Sequence, residues 1–288
     1  MRLRLPSRQI AAGVTSVHPS KTPASQFVHL RRITDLAGRR SLLSELCYFY
    51  SEPFVALLDL VSGSVISHLE RTAGKELASQ LKRLANRFKM ETGMKPEYYD
   101  ISLGSALSEL CLMALLTSSE QVRRIVIDPD ASCQTPDVRA ICRNGTDVFF
   151  EVAHIPRRHL TKGTKTEAYR PDGEVRRMMY NKIGGKVKSG QLKRGRANVL
   201  WVAVDALSYA FGEEHMARRV FESLDPTRLG GDLTLLTAVV VYSQETDVTS
   251  PTGPNDFHVN TACDSKVQSA AEALLVSMRG FGDAASDY

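Results

Sequence analysis

Between Ser102 and Asp205 the hydrophobic period changes from helical to strand-like and back, and that alternation restricts the chain to an α/β fold. SLGSALSELCLMALLT (102–117) is apolar almost all the way round, as a helix buried against a sheet must be. Glu109 is its one charge away from the ends. RRIVIDP (123–129), PDVRAIC (136–142) and TDVFFEVAHI (146–155) then read as three short strands, the last two joined through Asn144-Gly145 as a hairpin. Val175, Met179, Ile183 and Val187 recur every four residues, which predicts a helix over 174–193. Gly184-Gly185 weakens it by about 1 kcal/mol per glycine relative to alanine. NVLWVAVD (198–205) is an unbroken apolar run, the pattern of a strand covered on both faces. The order is helix, three-strand meander, helix, strand.

The flanks read differently. Arg40–Tyr50, Pro53–Leu69 and Gly74–Lys89 are predicted helices, the last amphipathic, with Leu77, Leu81, Leu84, Ala85 and Phe88 on its apolar stripe and Lys82, Arg83 and Arg87 outside it. Leu233–Tyr242 reads as a further buried strand, and Ser265–Arg279 as a terminal helix after a Pro/Gly/Ser/Thr loop. The expected division is a flexible basic start (1–38), a helical N-terminal region (39–95), an α/β core (96–245), and a loop with a C-terminal helix (246–288). The acid-free start is expected to be a disordered cytosolic segment rather than an organelle transit peptide, because Pro6 and the lack of a sustained apolar face argue against the latter.

Composition excludes several classes. With 288 residues, 43% of them hydrophobic and 24% charged, neither wholesale disorder nor a small disulfide-stapled scaffold is expected. The five cysteines include no C-x-x-C pair, which fits a reducing, cytoplasmic compartment and gives no zinc knuckle. No apolar run approaches the roughly 18–20 residues a bilayer span needs, so no membrane partner is expected. The net charge of +5 is uninformative as a total. Its distribution is not: residues 157–196 hold thirteen Lys/Arg against three acids, while outside this segment and residues 1–34 the chain carries 18 basic and 29 acidic groups. The oligomeric state is open.

The hairpin TPDVRAICRNGTDVFFEVAHIP places Asp137 fourteen residues before Glu151, around one tight turn. A two-residue Asn-Gly loop would set the two on opposite faces; a three-residue loop, Arg143-Asn144-Gly145, would place them directly opposite each other on one face. The second register gathers Val138, Ala140, Cys142, Val148, Phe150 and Val152 into a uniform core face, and is the one expected. Two carboxylates so paired repel by about 3 kcal/mol at an effective dielectric near 20. A divalent cation converts that repulsion into a binding site, and Mg²⁺ typically takes one or two protein carboxylates with water and phosphate oxygens.

Pro136-Asp137 followed by Glu151-Val152-Ala153, set in this element order, resembles the PD-(D/E)xK nuclease superfamily, with its restriction-endonuclease-like core. The resemblance spans about residues 102–205 and rests on topology together with a short motif. It implies phosphodiester hydrolysis in DNA or RNA, with Asp137 and Glu151 holding Mg²⁺ or Mn²⁺ and Glu109 as a third ligand. The motif lysine, which positions or activates the attacking water, is replaced by Ala153. Lys182 and Lys186, one helical turn apart on the following helix, are the candidates for a displaced lysine, ahead of Lys162 and Lys165 in the connecting loop. Arg157, Arg158, Lys162, Lys165, Arg176, Arg177, Lys193, Arg194 and Arg196 are the expected nucleic-acid contacts.

A plainer reading makes Asp137 a turn residue and Glu151 the exposed partner of Arg139, a pair worth under about 1 kcal/mol. Two function classes follow. One is an active nuclease; the other is a nuclease-fold protein that lost its lysine and only binds nucleic acid or assembles with partners. A third, an unrelated enzyme working from the C-terminal part, has no motif to support it. His154 and Trp201 read as core residues, Gly185–Gln191 lacks the Lys-Ser/Thr of a phosphate loop, and no Ser/His/Asp spacing suggests a triad.

Overall fold

The computed structural model describes residues 27–38, 41–43, 52–90, 96–127, 136–155, 158–161, 164–168, 172–188, 191–204, 216–225, 232–243 and 256–278. In chain order the elements are α1 (Val28–Ala37), α2 (Glu52–Thr72), α3 (Leu77–Arg87), α4 (Pro96–Ser118), β1 (Val122–Ile127), β2 (Val138–Cys142), β3 (Asp147–Ile155), β4 (Arg158–Thr161), β5 (Thr164–Ala168), α5 (Asp172–Lys188), β6 (Ala197–Val204), α6 (Met216–Glu222), β7 (Ala238–Ser243), β8 (Asp256–Val259) and α7 (Ser265–Ser277). Helix, three-strand meander, helix and strand follow one another as the sequence predicts, with one insertion: the stretch after β3 folds into an antiparallel hairpin, β4–β5, where a plain loop is expected.

Six strands form one mixed sheet in the order β1-β2-β3-β6-β7-β8. The meander is antiparallel, β3, β6 and β7 run parallel, and β8 closes the edge antiparallel to β7. Parallel neighbours need a crossover that covers a face of the sheet. Here α5 supplies it between β3 and β6. All eight residues of β6 are buried, so the apolar run ANVLWVAV is a central strand with helices on both sides.

Alternation along the strands divides the core in two. Val148, Phe150, Val199, Trp201 and Val240 point toward α2, α4 and α7, and Trp201 is fully buried there. Ala153, Ile155, Leu200, Val202 and Val239 point the other way, onto Met179, Ile183 and Val187 of α5 and Met216, Ala217 and Val220 of α6. At about 1.5–3 kcal/mol per buried large aliphatic side chain, each helical layer is held chiefly by such contacts.

Besides the β4–β5 hairpin, two segments depart from the sequence reading. Residues 28–37, expected within the flexible start, form α1, which buries Leu30, Ile33 and Ala37; its ten residues are too short to hold a helix alone and take their order from α2 and α3. The helix expected at 40–50 falls mostly outside the described residues. Strand β8 arises just beyond the predicted loop. Among the described residues, no helix is long and apolar enough to cross a membrane.

Candidate active site

The turn between β2 and β3 sets the site's register. Gly145 has φ +84°, a backbone state that L side chains rarely adopt, and Asn144 Oδ1 accepts from Thr146 N at 3.0 Å and from Thr146 Oγ1 at 2.7 Å. Val138 consequently pairs with Phe150, Arg139 with Phe149, and Ala140 with Val148, the three-residue-loop register. Val138, Ala140, Cys142, Val148 and Phe150 are all buried on the face toward α4.

Asp137 precedes β2, and its Oδ2 accepts from the Val152 backbone N–H at 2.8 Å, which ties it to β3 beside Glu151. Glu151 is fully buried. Its Oε1 accepts from Lys186 Nζ, while Oε2 is buried and has no hydrogen-bond partner among the described residues. The plainer pairing of Glu151 with Arg139 does not form: Arg139 is paired with Asp147.

Burial and the neighbouring Asp137 charge both raise the Glu151 pKa, to about 7, against the opposing pull of the Lys186 ammonium. Two carboxylates this close are favoured when they share a proton or a cation. A buried Glu151 oxygen with no hydrogen-bond partner among the described residues, on a carboxylate that neighbours Asp137, therefore fits a divalent cation in charge and in chemistry.

Glu109 enters differently from its expected role. Arg87, at the end of α3, stands 2.9 Å from Glu109 Oε2 and 3.5 Å from Asp137 Oδ1, so a guanidinium bridges the two acids. Among the described residues, no three His, Cys, Asp or Glu side chains gather as a metal-holding group. The arrangement is a two-carboxylate site flanked by Arg87 and Lys186. Arg87 was legible only as one of three bases off the apolar stripe; nothing in the local pattern distinguished it from Lys82 and Arg83.

Lys182 is exposed, and Lys186 is the lysine of α5 that reaches Glu151. Arg176, Arg177, Lys193, Arg194 and Arg196 are exposed on α5 and on the loop before β6, where Arg194 pairs with Asp232 at 2.5 Å. Arg157 and Lys162 lie outside the described residues, as do the side chains of Arg158 and Lys165. His154 is buried as expected, packed against Gly104 of α4. No family model, curated protein or solved structure matches this chain.

Proposed function

We propose that the chain is a metal-dependent nuclease of the PD-(D/E)xK type, hydrolysing phosphodiester bonds in DNA or RNA. The observation that carries this reading is the contact of Lys186 with the buried Glu151. A lysine absent at position 153 has its ammonium restored from α5, the neighbouring helix on the same face of the sheet. The element order α4, β1–β2–β3, α5, β6 supports a restriction-endonuclease-like core around it, with β4–β5 as an insertion.

Asp137 and Glu151 would hold Mg²⁺ or Mn²⁺, which when bound supplies Lewis-acid polarisation of the phosphate and an acidified water. The protein's own residues have separable tasks. Lys186 donates from Nζ at the carboxylate and offers a positive charge to a phosphate oxygen or the attacking water. Arg87 holds Asp137 and Glu109 in place. The exposed bases of α5 and the 193–196 loop attract the phosphate backbone.

Cleavage of plasmid, single-stranded DNA and RNA in Mg²⁺ or Mn²⁺ tests the assignment. Asp137→Ala and Glu151→Ala are expected to abolish cleavage, and Lys186→Ala to slow it by about 10²–10³, the usual loss for one transition-state charge partner. Lys182→Ala, which removes one exposed charge of α5 and no contact with Glu151, should slow cleavage far less than Lys186→Ala. Cleavage that survives both carboxylate substitutions overturns the site.

One observation favours the non-catalytic alternative: Arg87 and Lys186 already neutralise much of the acidic cluster. Salt-sensitive nucleic-acid binding with no cleavage in either metal would select that reading.

A further inference from the structure

We propose that Arg139 and Arg196, both stacked on Phe149, form a clamp for a backbone phosphate of a nucleic-acid strand and lead that strand past Glu151. The clamp rests on the nucleic-acid reading above and names where the strand is held. Alternation along β3 places Asp147, Phe149 and Glu151 on the face toward α5. Phe149 is only 7% exposed, yet it joins neither apolar core. Guanidinium groups cover it instead, with Arg196 Cζ 4.7 Å and Arg139 Cζ 5.6 Å from the ring centroid.

A phenyl face holds a guanidinium without cancelling its charge. Arg139 is partly neutralised by Asp147, but no carboxylate among the described residues pairs with Arg196. The cluster therefore carries net positive charge on planar forks suited to bidentate phosphate binding. Its position is built into the fold. Arg139 is fixed by the β2–β3 register, directly across from Phe149. The loop bearing Arg196 turns at Gly195 (φ +73°) and is held by buried Asn198, whose Nδ2 donates to Lys193 O at 2.8 Å and Leu235 O at 2.7 Å. Thr237 Oγ1 donates to Arg196 O at 3.3 Å. Phe149 and Glu151 are two strand residues apart, about 7 Å along β3, so a strand bound at the clamp runs alongside the acidic pair.

The test is fluorescence anisotropy of labelled single-stranded DNA, single-stranded RNA and duplex DNA, titrated over a range of NaCl with EDTA present so that nothing is cut. On single strands the slope of log affinity against log salt should shrink by about 0.7 for Arg196→Gln and by about 1.4 for Arg139→Gln/Arg196→Gln. Arg139→Lys/Arg196→Lys should keep most of the slope and still bind more weakly, because lysine loses the stacked fork. An unchanged slope in Arg196→Gln overturns the clamp, and this exposed site decides the matter even if the double variant fails to fold. Absence of salt-dependent binding by the unaltered protein to all three probes also overturns it. Arginine-dependent binding without Mg²⁺-dependent cleavage keeps the clamp and removes the nuclease reading; cleavage with an unchanged slope does the reverse.

Discussion

Glu151 combines complete burial, a lysine on one carboxylate oxygen and the neighbouring charge of Asp137, and these fix how it responds to pH. Its pKa is raised from 4.5 to about 7 in the folded chain, first by burial and then by Asp137. The unfolded chain releases this proton at lower pH than the folded chain does. The stabilising contribution is therefore complete below about 4.5 and is lost as pH rises to about 7, with an upper size of about 3 kcal/mol. Urea denaturation at pH 5 and pH 8 should show that fall in the unaltered protein and a flatter profile in Glu151→Gln; equal falls in both would place the proton elsewhere. A bound cation needs the same carboxylate ionised. Thermal unfolding with added Mg²⁺ should accordingly show a larger rise in Tm at pH 8 than at pH 6, and Asp137→Asn should remove it.

The elements place these side chains through two apolar contacts. On one side of the sheet, α5 docks through Met179, Ile183 and Val187, which brings Lys186 over β3. Ile183→Ala leaves a cavity in that seam and should cost about 2–4 kcal/mol in chemical denaturation. It should also slow any cleavage beyond what the stability loss explains, since Lys186 rides on the same helix. On the other side, Gly104 of α4 lets His154 of β3 lie against the helix backbone: a Cβ at Gly104 would fall 2.7 Å from His154 Nε2. Gly104→Ala is expected to destabilise by about 1–3 kcal/mol through overpacking, and Gly104→Ala/His154→Ala to recover part of that loss. The hairpin register was legible in the sequence because only one register leaves a uniformly apolar face. The pairings of Glu109 with Arg87 and of Lys186 with Glu151 were not, because each joins a helix to another element distant in sequence, and packing sets how that helix is rotated.

Across the whole molecule, positive charge collects on α5 and on the loop before β6, while outside residues 1–34 and 157–196 the chain carries 18 basic and 29 acidic groups. Such a surface attracts a polyanion along one side and repels it elsewhere. Replacing exposed Arg176, Arg177 and Lys193 together by glutamine should shrink the salt slope of single-strand binding by about 2 and change folding stability by under about 0.5 kcal/mol per site. An unchanged slope would mean that the strand takes another path. The sequence by itself determined the α/β class, the order of the elements from 102 to 205, the register that sets Asp137 beside Glu151, and the placement of the basic segment. These follow from local periodicity, turn chemistry and composition, which act over a few residues. Only the tertiary structure decided that Arg87 bridges Glu109 and Asp137, that Lys186 rather than Lys182 meets Glu151, and that Arg139 and Arg196 share Phe149. Each of those contacts joins residues on different elements. Their geometry depends on how helices settle on the sheet, and side-chain packing across the two cores fixes that angle and offset.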